Sequence, residues 1–61
     1  MTIAQAIIIA TLAGKDSVKQ MVGKTVISPI TKQEQADAEA VLGDDFYNYY
    51  DQAVDAAIEN I

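Results

Sequence analysis

A chain of 61 residues that contains neither Cys nor His has to fold without disulfides and without the usual ligands of zinc, iron–sulfur clusters and haem. Apolar residues make up 51% of it and charged residues 21%, a balance typical of folded proteins and not of disordered tails. A net charge of −5 and the absence of Arg argue against direct binding to nucleic acid.

The small size predicts a single helical domain over residues 1–61 that gains stability by association. A core of this size supplies about 3–5 kcal/mol at most, and small domains usually add disulfides, metals or subunits. The composition excludes the first two, so we expect a protein partner, through self-association or contact with a larger assembly.

The first helix is predicted over residues 3–13. Thr2 and Gln5 form a capping-box pair at its start, and Gly14 is placed as the residue that ends it. This segment lacks the basic residues that open a signal peptide, and the charged residues that follow it come too early for a membrane span. We therefore expect an intracellular protein without a signal peptide or a transmembrane helix.

This first helix is apolar on all sides. Ile7 faces the rest of the chain, whereas Ile8 and Leu12 lie more than about 90° away, and Ile9 is nearly opposite Ile7. Such a helix needs neighbours all round, which predicts that a second copy or a larger assembly covers Ile8 or Ile9. The alternative is a compact monomer in which the second helix and the β-prone residues 24–27 close the gap.

A short second helix is predicted over residues 16–22. Asp16 or Ser17 caps it, and Gly23 ends it. Gly14 is alternatively only a kink, in which case the first two helices are one.

The third helix is predicted over residues 30–42 and ends at Gly43. Two start signals compete for it. Ser28-Pro29 offers a cap followed by Pro at the first helical position, and Thr31 with Glu34 offers a capping box.

The fourth helix is predicted over residues 45–60, with acidic residues at its start, where the helix dipole favours them. Its apolar side chains fall within roughly 120° of arc, so it is amphipathic. Phe46 and Tyr50 point to the core side, as does Tyr47. Tyr49 leans away from that arc and is a candidate for contact with a partner.

The two halves of the chain carry opposite charge. Residues 1–32 hold four Lys and one Asp, whereas residues 33–61 hold eight carboxylates and no cation. Asp51, Asp55 and Glu59 follow at intervals of four on the last helix. This stripe is a solvated face, a docking surface for a basic partner such as the lysine-rich half of another copy, or a mimic of DNA phosphates.

No motif for catalysis or cofactor binding is present. Residues 23–25 end like a phosphate-binding loop, but Val18 stands where its first Gly belongs and no helix is expected to follow. Nor does the sequence contain a nucleophile–base pair or a calcium-binding loop. We expect no enzyme activity, no cofactor and no metal ion.

The sequence thus predicts an all-α protein, a small bundle of three to four short helices with the first one central. The function that fits is a non-enzymatic structural or accessory subunit, such as a phage or virion component. The alternative is an acidic inhibitor or adaptor, such as a DNA mimic, that binds a basic site on a nucleic-acid enzyme. The predicted partner-binding residues are Ile8, Ile9, Leu12, Tyr49, Asp51, Asp55 and Glu59.

Overall fold

The computed structural model of the protein describes residues 1–23 and 30–60, which form three α-helices. They are α1 (Ile3–Met21), α2 (Lys32–Leu42) and α3 (Asp45–Glu59). The described residues contain no strand, so the all-α prediction is confirmed. The β-prone residues 24–27 and the Ser28-Pro29 pair lie outside the described residues.

The start of α1 confirms the predicted capping box. The Gln5 N–H donates to Thr2 Oγ1 at 3.1 Å, and the Thr2 N–H donates to Gln5 Oε1 at 2.8 Å. These two bonds satisfy backbone and side-chain groups that the first turn leaves without helical partners.

The predicted end at Gly14 is wrong, because α1 continues through it to Met21. Gly14 instead lies where α1 and α3 approach each other closely. A Cβ atom added there would lie 2.6 Å from the Tyr50 carbonyl oxygen and 2.9 Å from Ala53 Cβ. The two predicted helices are therefore one, and the helix ends before Gly23, whose φ of +79° suits Gly.

Thr31 caps α2, so the later of the two competing start signals is the one used. The Glu34 N–H donates to Thr31 Oγ1 at 3.1 Å, and the helix begins at Lys32 instead of residue 30. It ends at the predicted place, followed by Gly43 with a φ of +58°. This turn leads at once into α3, whose bounds agree with the prediction to one residue.

Helix α1 is central, as predicted, because it packs along both other helices while α2 and α3 touch each other little. The core is built mainly from small side chains, and Phe46 is the one large side chain that is fully buried among the described residues. Alanines at these positions let the helix axes approach closely. The buried core cluster consists of Ala6, Ile9, Ala10, Ala38 and Phe46.

The orientation of α1 differs from the prediction at Ile9. This residue is only 8% exposed and belongs to the core cluster, together with Ala38 of α2. The flank of α1 that carries Ile9 is therefore covered within the chain, although it lies nearly opposite Ile7. Ile8 is 58% exposed and lies on the uncovered side, as predicted.

Candidate interaction surface

The side of α1 that faces away from the core carries a line of uncovered side chains, here called the outer seam. Its members follow one another at intervals of four, three and four residues, which keeps them within about 60° of the helix circumference. Leu12 is half-buried and the other three members are exposed. The outer seam consists of Ile8, Leu12, Lys15 and Lys19.

The outer seam is apolar in its first half and cationic in its second. Next to the apolar half, Met1 and Ile8 line a depression of about 260 Å³ together with Gln5, Ile9 and Glu34. Only this small edge of Ile9 reaches the surface, so the structure leaves Ile9 with little area to offer a partner. Of the two predicted contact residues, Ile8 and Ile9, it is Ile8 whose side chain is accessible to a partner.

The cationic half lies beside the end of α3. Lys15 and Lys19 line a groove of about 420 Å³ whose apolar wall includes Val18 of α1 and Ala57 of α3. Cations near the carboxyl end of a helix interact favourably with its dipole. The two lysines therefore lie both on the outer seam and at the edge of this groove.

A second line of side chains with the same spacing runs along one edge of α3, here called the flank seam. Tyr47 is 57% exposed and Ile58 is 50% exposed. Between them, Asp51 is exposed and Val54 is half-buried at the margin of the core. The flank seam consists of Tyr47, Asp51, Val54 and Ile58.

Tyr47 was predicted on the core side of α3 and Tyr49 on the partner side, and the structure shows the reverse. Tyr49 is half-buried and packs against the core cluster, whereas Tyr47 is exposed and its ring is nearly perpendicular to that of Phe46, with ring centroids 5.5 Å apart. Much of the Tyr49 side chain, which was predicted to contact a partner, is therefore packed within the chain. Tyr47 is the aromatic residue that sequence reasoning missed, because its side of α3 depends on where α1 lies.

The acidic stripe, formed by Asp51, Asp55 and Glu59, lies on α3 as predicted. All three carboxylates are exposed and point away from the core. Their interval of four residues spaces them about 6 Å apart along the helix axis. One member of the stripe, Asp51, also belongs to the flank seam.

A polar cavity of about 230 Å³ lies where the three helices meet, and sequence reasoning did not predict it. The Ser17 and Tyr50 hydroxyls are hydrogen-bonded to each other there, which links α1 to α3. Asp16 Oδ2 is buried, and no residue in the described part of the chain forms a hydrogen bond with it. Both Asp16 and Ser17 lie inside α1, so the prediction that either one caps a helix is wrong.

The chemistry of the polar cavity is set by the described residues that line it. Their polar groups are the hydroxyls of Ser17 and Tyr50, the amides of Gln20 and Gln35, and the carboxylate of Asp16. Within residues 1–23 and 30–60, no three carboxylates come together in a way that could hold a metal ion.

Comparison of the chain with models of known protein families, with curated proteins and with solved structures gives no match. Neither α1 nor the two shorter helices, as far as the chain is described, has the length and apolar character needed to cross a membrane. The two seams and the acidic stripe are the surface features of the described residues that are suited to contact a partner.

Proposed function

We propose that the protein is a small non-enzymatic structural or accessory subunit that associates with copies of itself through the outer seam of α1. The observation that carries this proposal is the position of Ile8, a large, 58% exposed apolar side chain in the first half of the central helix and on the side away from the core. The half-buried Leu12, one turn further on, extends the apolar surface.

The energetics of the fold favour such an association. One large side chain, Phe46, is fully buried among the described residues, and the rest of the core cluster is mostly Ala. Burying the exposed part of an Ile side chain contributes on the order of 1 kcal/mol. A partner that binds only the folded state raises the apparent free energy of unfolding. Association would therefore stabilise a fold whose own core is small.

The setting that we propose is a larger assembly inside the cell or in a virion, such as a phage structural component. The size of the chain and its all-helical fold support this choice of setting. The chemistry of the outer seam supports the association itself and applies equally to any assembly built from copies of this chain.

A second candidate function rests on the acidic stripe. Asp51, Asp55 and Glu59 are all exposed at regular spacing, which suits an inhibitor or adaptor that blocks a basic site on a nucleic-acid enzyme. Asp55 and Glu59 lie off the flank seam, so they separate the two functions. Replacing both by their amides should abolish inhibition and leave self-association unchanged.

The test compares the solution mass of Ile8→Asp with that of a matched control, Ile3→Asp. Both change an exposed Ile on α1 into Asp, but Ile3 lies on a different side of the helix from the outer seam. Light scattering should show the 6.6 kDa chain mass for Ile8→Asp at every concentration. Ile3→Asp should associate like the unchanged protein. Equal masses for the two variants at every concentration would overturn the proposal.

A further inference from the structure

The outer seam of α1 and the flank seam of α3 have the same repeat. In each, four residues follow at intervals of four, three and four, the alternation by which helices pack side by side in coiled coils. Both seams therefore span about 16 Å of helix axis. The order of the intervals is the same from either end of a seam. Each residue of one seam therefore lies opposite one residue of the other, whether the two helices run parallel or antiparallel, and each such pair of opposite residues is here called a level.

The antiparallel arrangement matches the chemistry at every level. Two levels pair apolar side chains, one pairs Lys15 with the carboxylate of Asp51, and one places Lys19 against an aromatic ring, where a cation is attracted to the ring face. The parallel arrangement instead places Leu12 against that carboxylate and both lysines against aliphatic side chains. The antiparallel levels are Ile8 with Ile58, Leu12 with Val54, Lys15 with Asp51, and Lys19 with Tyr47.

Neither seam matches a copy of itself. Two outer seams at full overlap bring Ile8 against Lys19 when they run antiparallel, and lysine against lysine when they run parallel. Two flank seams bring Asp51 against Val54 or against a second Asp51. Buried like charges and unpaired charges are costly, so these alternatives are disfavoured.

We infer that the outer seam of α1 docks antiparallel onto the flank seam of α3 in a second copy of the chain. This inference rests on the proposed function and specifies its interface. The two seams lie on different helices of the chain, so the contact is heterologous, and each copy binds one neighbour through α1 and another through α3. Growth then continues into rings or filaments instead of stopping at a dimer.

The closing experiment mixes two variants that each lack one seam. Ile8→Asp removes the outer seam, and Ile58→Asp removes the flank seam of the same chain. Each variant alone should remain at the 6.6 kDa chain mass. An equimolar mixture should form a dimer of twice that mass that grows no further, because only the intact α1 of one and the intact α3 of the other can meet. Helical circular dichroism of each variant verifies that it is folded.

The outcomes separate this inference from the proposed function. If Ile58→Asp associates alone like the unchanged protein, the heterologous contact is wrong and self-association stands. If the mixture stays at the chain mass while the unchanged protein associates, the pairing of these two seams is likewise wrong. If the unchanged protein itself keeps the chain mass at all concentrations, the proposed function fails first.

A charge exchange gives a second test that leaves the apolar core untouched. Lys15→Glu and Asp51→Lys should each weaken association at least about tenfold, since each places like charges opposite one another. Mixing the two variants should restore growth, because every contact in an alternating chain then joins opposite charges. Association of each single variant at the strength of the unchanged protein would overturn the inferred register.

Discussion

Replacing Gly14 by Ala puts a methyl group into a close contact between α1 and α3. The added Cβ would lie 2.6 Å from the Tyr50 carbonyl oxygen, a backbone atom that cannot rotate aside, and 2.9 Å from Ala53 Cβ. Helix α3 must shift to relieve both contacts. Overpacking of this kind costs about 1–3 kcal/mol, whereas the exchange of Gly for Ala in a helix interior returns about 1 kcal/mol.

Because the closest contact is with a backbone atom, we expect a cost in the upper part of this range, about 2–3 kcal/mol, which leaves a net loss of about 1–2 kcal/mol in the free energy of unfolding. That is a large part of the roughly 3–5 kcal/mol available to a domain of this size. For such a domain, each kcal/mol lowers the melting temperature by about 4–8 °C.

Urea and thermal unfolding followed by circular dichroism measure this effect. Both should be done in the Ile8→Asp background, so that association does not contribute to stability. If α3 did not pack at this point, Gly14→Ala would be stabilising through helix propensity alone. An equal or higher melting temperature would therefore refute the close approach of the two helices.

Three further predictions concern single contacts, all measured by urea unfolding in the Ile58→Asp background, which prevents association and keeps Ile8. Ile9→Ala should cost about 2–4 kcal/mol, whereas Ile8→Ala should cost less than about 0.5 kcal/mol, and the reverse order would contradict the orientation of α1. Thr2→Ala should cost about 1 kcal/mol by removing the capping box, and no loss would mean that the first turn is frayed. Tyr50→Phe should cost about 0.5–1.5 kcal/mol by removing the hydroxyl bond to Ser17, and an unchanged midpoint would argue against that bond.

The helix ends that could be predicted are those set by local chemistry. The Thr2 and Thr31 caps and the turn at Gly43 depend on residues within a few positions of one another, and the structure uses all three. Gly14 carries the same local signal as a helix end. What decides its role is Ala53 and the backbone at Tyr50, which no local pattern reveals.

The orientation of each helix could be predicted only in part, because it depends on which neighbour covers which flank. Amphipathicity places Phe46 in the core whatever the arrangement. Tyr47 lies at the edge of the apolar arc of α3, where a small rotation exchanges core and surface. Helix α1 is apolar on all sides, so its pattern alone left Ile8 and Ile9 as alternatives, and only the packing of the other helices shows that Ile9 is buried and Ile8 exposed.

The polar cavity shows a different limit. Asp16 and Ser17 follow Gly14 in a pattern typical of a helix start, yet they lie within a continuous helix. The partner of Ser17 is 33 residues away on α3. Pairings at that separation depend on the packing of α1 against α3, and the sequence of either segment alone does not contain them.

The most direct test of the proposed self-association is the solution mass of the unchanged protein over a dilution series from about 1 mM to about 1 μM, the range expected for a small interface. The mass should rise above 6.6 kDa with concentration and pass beyond twice that value, since each copy offers two different seams. A mass that stays at 6.6 kDa throughout would contradict self-association through α1.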